Sequence, residues 1–248
     1  MTRTLITAGA SGIGLAMAQA FAARGDEVWV TDVDAAALGA VPDAITARHC
    51  DVRDAARMAE VMAEAGALDV LCANAGVAGP TALVEDVELS DWRACVSVNL
   101  EGAFLAVKHA LPAMKAAGSG AVIFTSSTAG IHGYPNRAPY AAAKWAIIGL
   151  MKTVAMEAGP FGVRANAICP GAVEGARMEG VLAREAAAKG MSRDQVYAGY
   201  ASGTSMRSFV EARDVAQMAV FLGSDAARMV SGQVIAVDGH TENPDPKP

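Results

Sequence analysis

Short runs rich in β-branched residues alternate along this chain with Ala-rich stretches of helical length, and that alternation leaves few architectures open. Strand-like runs fall at residues 4–7, 27–31, 44–49, 70–73, 121–125, 164–168 and 233–237. Helical patterns fall between them at 14–24, 53–65, 90–117, 138–158 and 212–222. A strand that returns through a helix must run parallel to its predecessor, and a parallel sheet needs helices over both faces. The pattern therefore predicts an α/β fold: a doubly wound parallel sheet of seven strands with helices on both faces. No linker-like stretch divides the chain, so residues 1–241 are expected to form one domain and the Pro-rich residues 242–248 a loose tail. Residues 172–208 carry no strand pattern and one or two short helical segments, such as 181–189. So long an excursion in a tight α/β chain is expected to be a substrate loop or lid.

Composition narrows the function. Apolar residues make up 53% of the chain and charged ones 19%, as in a folded globular protein. The net charge is −6, with no run of Lys or Arg, which argues against nucleic-acid or membrane-surface binding. Cys50, Cys72, Cys95 and Cys169 are scattered, without a CxxC pair or His at ligand spacing. They read as buried, reduced thiols of a cytoplasmic protein that uses no metal. Gly9, Gly12 and Gly14 interrupt the apolar N-terminal run, and Lys144 and Lys152 interrupt residues 140–157, so no segment is expected to span a bilayer.

The run Thr7-Ala8-Gly9-Ala10-Ser11-Gly12-Ile13-Gly14 follows the first strand and opens the first helix. Glycines there permit a sharp turn and close backbone approach, and the helix N-terminus offers free N–H groups to a pyrophosphate. The second strand ends at Asp32, where a carboxylate can accept hydrogen bonds from adenosine ribose hydroxyls. Its charge would repel a 2′-phosphate, so NAD is the expected cofactor rather than NADP.

Tyr140 and Lys144 are four apart on a helical pattern and so project from one face. An ammonium beside a phenol stabilises the phenolate, which suits Tyr140 to general acid/base work at the oxygen of an alcohol or ketone. The fifth strand ends in Thr125-Ser126-Ser127, which places the Ser127 hydroxyl at the carboxyl edge of the sheet, where it can hold the reacting oxygen. The fourth strand ends in Asn74-Ala75-Gly76, and Asn99 lies inside a helical pattern where an amide needs partners.

Taken together, these motifs resemble the short-chain dehydrogenase/reductase family from Thr4 to about Gly239. The shared features are the glycine turn, Asp51 after the third strand, Asn74-Ala75-Gly76, Asn99, Ser127, Tyr140 and Lys144, Pro170-Gly171 and Asp238-Gly239. The resemblance implies a Rossmann-type sheet in the order 3-2-1-4-5-6-7. It implies that Asn99, Ser127, Tyr140 and Lys144 are catalytic, with Asn99 holding a water of the proton relay. Gly9, Ser11, Gly12, Ile13, Gly14, Asp32, Asp51, Val52, Asn74, Ala75, Gly76, Pro170, Gly171 and Val173 would bind cofactor together with Tyr140 and Lys144, and the protein would be a homotetramer. Ala8 departs from the family's first glycine, with Gly9 expected to absorb the strain, and Gly175 stands where a Thr is common. Ala73 and His240 also depart.

The sequence thus points to an NAD-dependent dehydrogenase or reductase acting on a small polar secondary alcohol or ketone. A 3-oxoacyl thioester reductase and a nucleotide-binding protein without this chemistry are the alternatives. Arg177, six residues past Gly171, is placed to pair with an anionic group on the substrate.

Overall fold

In strands buried on both sides, successive side chains feed opposite layers. The computed structural model, which describes residues 1–245, shows this directly. The strands are β1 (Arg3–Thr7), β2 (Glu27–Asp32), β3 (Ile45–His49), β4 (Val70–Ala73), β5 (Gly120–Thr125), β6 (Val163–Pro170) and β7 (Val234–Val237). All neighbours pair in parallel, in the order β3-β2-β1-β4-β5-β6-β7. Leu5, Leu71, Val122 and Phe124 enter one layer, against Met58 and Val61 of α3 (Ala55–Ala65), Ala106 and Met114 of α5 (Gly102–Ala117), and Ile147 and Met151 of α6 (Ala138–Ala158). Their neighbours Ile6, Cys72 and Ile123 enter the other, against Met17 and Phe21 of α1 (Gly12–Arg24) and Val215 and Leu222 of α9 (Ala212–Leu222). Each large side chain buried this way stabilises the fold by about 1.5–3 kcal/mol. The four cysteines are free and buried in the structure.

The helices differ from expectation in three places. A five-residue helix, α2 (Ala35–Gly39), follows β2, capped by the Asp34 carboxylate, which accepts from the amides of Ala36 and Ala37. The single helix expected over 90–117 is α4 (Leu89–Val96) and α5 joined by a π-helical segment, Ser97–Glu101. The 172–208 excursion is largely helical, comprising α7 (Ala176–Lys189) and α8 (Arg193–Ser202). A capping box opens α8: the Ser192 hydroxyl accepts from the Gln195 amide at 3.2 Å and Gln195 Oε1 accepts from the Ser192 amide at 2.8 Å. Leu182, Ala186, Val196 and Tyr200 give α7 and α8 a small core of their own.

Of the tail expected to be loose, residues 246–248 lie outside the described residues, while Glu242, Asn243 and Asp245 each have a partner. Glu242 and Asn243 donate their amides to the Gly203 carbonyl at 2.8 and 3.0 Å, and Asp245 pairs with Lys189 at 2.8 Å. Among the described residues, no helix is long and apolar enough to cross a membrane.

Candidate active site

The carboxyl ends of β1, β4, β5 and β6 open onto a cleft of about 340 Å³, a volume suited to a small ligand. Ser11, Gly12, Ile13 and Gly14 enter it from the first turn, Asn74 and Gly76 from β4, and Ser127 from β5. Tyr140 and Lys144 enter from α6, Pro170, Gly171 and Val173 from the end of β6, and Arg177 from α7. Asp32, Asp51, Val52 and Ala75 line an adjoining groove, which shares Ala8, Ser11 and Gly76 with the cleft. Two of the expected site residues, Gly9 and Asn99, line neither. A Cβ at Gly9 would meet Val30 at 2.6 Å, so this glycine seats the turn on β2.

The strain at the first turn does not fall on Gly9. Ala8 itself takes the left-handed conformation, with φ +51°, at a cost of roughly 1–2 kcal/mol for a residue with a Cβ. Asn74 holds it there: Nδ2 donates to the carbonyls of Thr7 and Ala8 at 3.1 and 3.2 Å. A Cβ at Gly14 would lie 2.0 Å from the Ala8 oxygen, so only glycine lets α1 start this close to the turn. Ser11 makes no side-chain cap, and the first-turn amides of α1 sit at the cleft as donors for an anionic group. This arrangement fits a dinucleotide pyrophosphate.

In the groove, the Asp32 carboxylate accepts from the amides of Ala10, Val33 and Asp34 at 3.2, 2.8 and 3.1 Å. Arg53 also lines the groove, but its guanidinium is forked onto Asp51 at 2.5–3.0 Å. The Arg53 hydrogen bonds hold the Asp51 carboxyl below its usual range.

Lys144 is fully enclosed and donates from Nζ to the Thr125 carbonyl at 2.8 Å, with Nζ 5.7 Å from the centre of the Tyr140 ring. Burial pushes the Tyr140 phenol up. The Lys144 ammonium, the Arg177 guanidinium and the Ser127 hydroxyl outweigh it, so the phenol lies below its ordinary value. Burial also lowers the Lys144 ammonium. Serine, tyrosine and lysine thus converge as expected, at a point where a proton can be accepted or returned.

Asn99 sits in the π segment. Its Nδ2 donates to the carbonyls of Cys95 and Val77 at 2.8 and 3.0 Å, while Oδ1 is buried without a hydrogen-bond partner. A Cβ on Gly76 would lie 2.6 Å from that oxygen and 3.2 Å from Lys144 Nζ, so the bare glycine keeps open a space bordered by both. A π segment at a functional position is a recurring arrangement.

Known proteins resemble this chain in sequence and fold. The family described as Enoyl-(Acyl carrier protein) reductase matches residues 7–240. The 2-keto-3-deoxy-L-fuconate dehydrogenase of Xanthomonas campestris pv. campestris is 37% identical over 245 residues, 97% of this chain and 80% of the relative. The chain belongs to the short-chain dehydrogenase/reductase family. Among solved structures, NAD+-bound xylitol dehydrogenase superposes with a TM-score of 0.91 at 27% identity, covering 96% of this chain and 98% of that one. Actinorhodin polyketide ketoreductase with NADPH superposes with a TM-score of 0.92 at 29% identity, covering 98% and 97%.

This short-chain dehydrogenase/reductase is accordingly an oxidoreductase, and its cleft holds residues that the sequence reading passed over. Arg137 is buried, with its guanidinium 4.8 Å from the centre of the Tyr140 ring. The helical spacing that sets Lys144 one turn after Tyr140 sets Arg137 one turn before it, and was the available signal. Glu185 and Tyr200 stand behind Arg137, with the Tyr200 hydroxyl donating to Glu185 Oε1 at 2.7 Å. Arg177 is exposed at the cleft, its guanidinium 5.9 Å from the centre of the same ring. Gly175 has φ +133° and ψ 173°, a conformation essentially confined to glycine, so a Thr there is barred by the backbone. Among the described residues, no group of three or more His, Cys, Asp or Glu side chains could hold a metal ion.

Proposed function

We propose that this chain is an NAD-dependent dehydrogenase or reductase that interconverts a small polar secondary alcohol and its ketone. The observation that carries the reading is the convergence of Ser127, Tyr140 and Lys144 on one cleft, with Lys144 Nζ anchored to the Thr125 carbonyl at 2.8 Å and 5.7 Å from the centre of the Tyr140 ring. The Ser127 hydroxyl holds the reacting oxygen and Tyr140 Oη takes its proton during oxidation or returns it during reduction. Lys144 keeps the phenol acidic and, with Asn99 Oδ1, borders the space for a relaying water. Bound nicotinamide would supply the hydride acceptor or donor. The first-turn amides of α1 would hold its pyrophosphate, and Pro170, Gly171 and Val173 would lie along the nicotinamide end.

NAD is favoured over NADP by Asp32. A 2′-phosphate about 4 Å from its carboxylate is repelled by up to about 4 kcal/mol at an effective dielectric near 20. Both cofactors occur among similar structures, one NAD+-bound and one with NADPH, so the support comes from this residue. The sugar-acid dehydrogenase among its relatives supports a polar substrate. The reading also includes a cytoplasmic homotetramer; exposed Phe104 on α5 and Trp145 on α6 offer apolar surface for assembly. The test is NADH formation across hydroxy acids, sugars, polyols and cyclic alcohols. Turnover of a secondary alcohol with NAD is expected; failure across the panel in both directions would overturn the proposal.

A further inference from the structure

The unspent chemistry of the cleft lies in its guanidiniums. Arg137 lines the cleft with only 8% of its side chain exposed, yet it is poorly satisfied. One terminal nitrogen reaches the Ala78 carbonyl at 3.3 Å, the other stands 3.7 Å from Glu185 Oε1, and Nε is buried with no hydrogen bond. A guanidinium carries five donors, and burying it with so few acceptors is costly unless an anion completes the set. Glu185 is a weak answer, because its Oε1 accepts from Tyr200 at 2.7 Å and its Oε2 faces Lys189 at 3.6 Å. Arg177, also beside the Tyr140 ring, makes no ion pair among the described residues. The remaining acidic side chain at the cleft, Glu174, is exposed and accepts from Tyr197 at 2.8 Å. Lys144, Arg137 and Arg177 all stand within 6 Å of the Tyr140 ring centre. The cleft therefore carries cationic groups that its own carboxylates leave partly unmatched.

We infer that the substrate carries a carboxylate, clamped between the guanidiniums of Arg137 and Arg177 within a few bonds of the carbinol carbon. The inference rests on the dehydrogenase reading and names its substrate class: a short hydroxy acid or the matching oxo acid. Both guanidiniums stand within 6 Å of the ring centre of the phenol that exchanges the proton, which is why the anion must be close to the reacting carbon. Guanidinium favours carboxylate because two parallel N–H groups match its two oxygens. Glu185 acts as a positioning residue, holding Arg137 at the cleft wall without saturating it.

The test compares short hydroxy acids with their methyl esters, following NADH formation in the parent, Arg177→Gln, Arg137→Gln and Arg137→Lys. Both substrates of a pair meet the same Tyr140, so any change in the phenol cancels in the acid-to-ester ratio of kcat/KM. The parent should favour the acid, and each Gln variant should cut the ratio about 10–100-fold, as expected for losing a hydrogen bond to a charged group, mainly through KM. Arg137→Lys, which keeps the charge and loses the fork, should recover part of the preference. Arg177 is exposed, so its variant reports even where a change at buried Arg137 disturbs folding. Esters turned over as well as acids by the parent, or a ratio unmoved by Arg177→Gln, would overturn the clamp and leave the dehydrogenase reading standing. Failure of every acid and ester with NAD while another secondary alcohol of the panel turns over would overturn the clamp alone, and failure of the whole panel in both directions would overturn both.

Discussion

Lys144 donates from Nζ to the carbonyl oxygen of Thr125 at 2.8 Å, which fixes its ammonium to the end of a central strand. The Thr125 hydroxyl donates to Asn74 Oδ1 at 3.1 Å, and Asn74 Nδ2 reaches the Ala8 carbonyl at 3.2 Å. Three hydrogen bonds thus join the lysine to the strained residue of the first turn. The two halves of the site are held to one rigid frame rather than to separate loops.

Removing the ammonium should uncover the intrinsic acidity of the phenol. On the proposed mechanism oxidation needs Tyr140 as the proton acceptor, so its rate should rise with pH until the phenol is ionised. In the parent that rise should level off below pH 10, since the Tyr140 phenol lies below its usual value. In Lys144→Met the burial effect remains without its main counterweight, so the inflection should move upward and activity at neutral pH should fall about a hundredfold or more. An unmoved inflection in the pH profile of kcat/KM would detach Lys144 from the titration of Tyr140.

Asp32 gives a cofactor prediction. The parent should prefer NAD over NADP by at least about a hundredfold in kcat/KM, equivalent to roughly 2.8 kcal/mol. Asp32→Ala should narrow that gap, with most of the change in the NADP column. Equal use of both cofactors by the parent would show that the carboxylate serves only its three backbone amides.

Ala8 carries strain that glycine would not. Ala8→Gly removes the left-handed penalty of roughly 1–2 kcal/mol and adds about 0.4–1 kcal/mol of unfolded-chain entropy. The net effect should be an unchanged or slightly raised Tm, by up to about 4 °C for a chain of this size. A clear fall in Tm on calorimetry would mean that the Ala8 methyl is held by favourable contacts.

The opposite substitution should be harmful at Gly175, which occupies a glycine-only conformation just before α7. Gly175→Ala should cost about 1–3 kcal/mol locally and displace the start of α7, where Arg177 sits. The expected result is a several-fold rise in KM for the alcohol with little change in cofactor Kd. Unchanged KM would show that the turn relaxes without moving Arg177.

The sheet was legible because its strands alternate between two apolar layers and are bounded by helices, which fixes parallel pairing. Strand order was not, because periodicity carries no neighbour information; it came from the resemblance. Ser127, Tyr140 and Lys144 could be read from strand ends and helical spacing, which are local rules. The π segment around Asn99 was hidden because inserting one wide turn barely alters an apolar helical pattern. Ala8 was misjudged because propensity assigns positive φ to the glycine next to it, whereas the hydrogen bonds from Asn74 decide otherwise. Glu185 reads as solvated, lying in Ala-rich α7 beside Arg184, and only the packing of α7 on α8 buries it.

The central claim is that Tyr140 exchanges the proton. Tyr140→Phe removes one oxygen and keeps the ring, so NADH affinity measured by fluorescence titration should stay within about twofold of the parent. Turnover should fall by about a thousandfold, within the usual range for loss of a general acid/base. Retention of turnover within a few-fold, with cofactor binding intact, would contradict the mechanism proposed for this site.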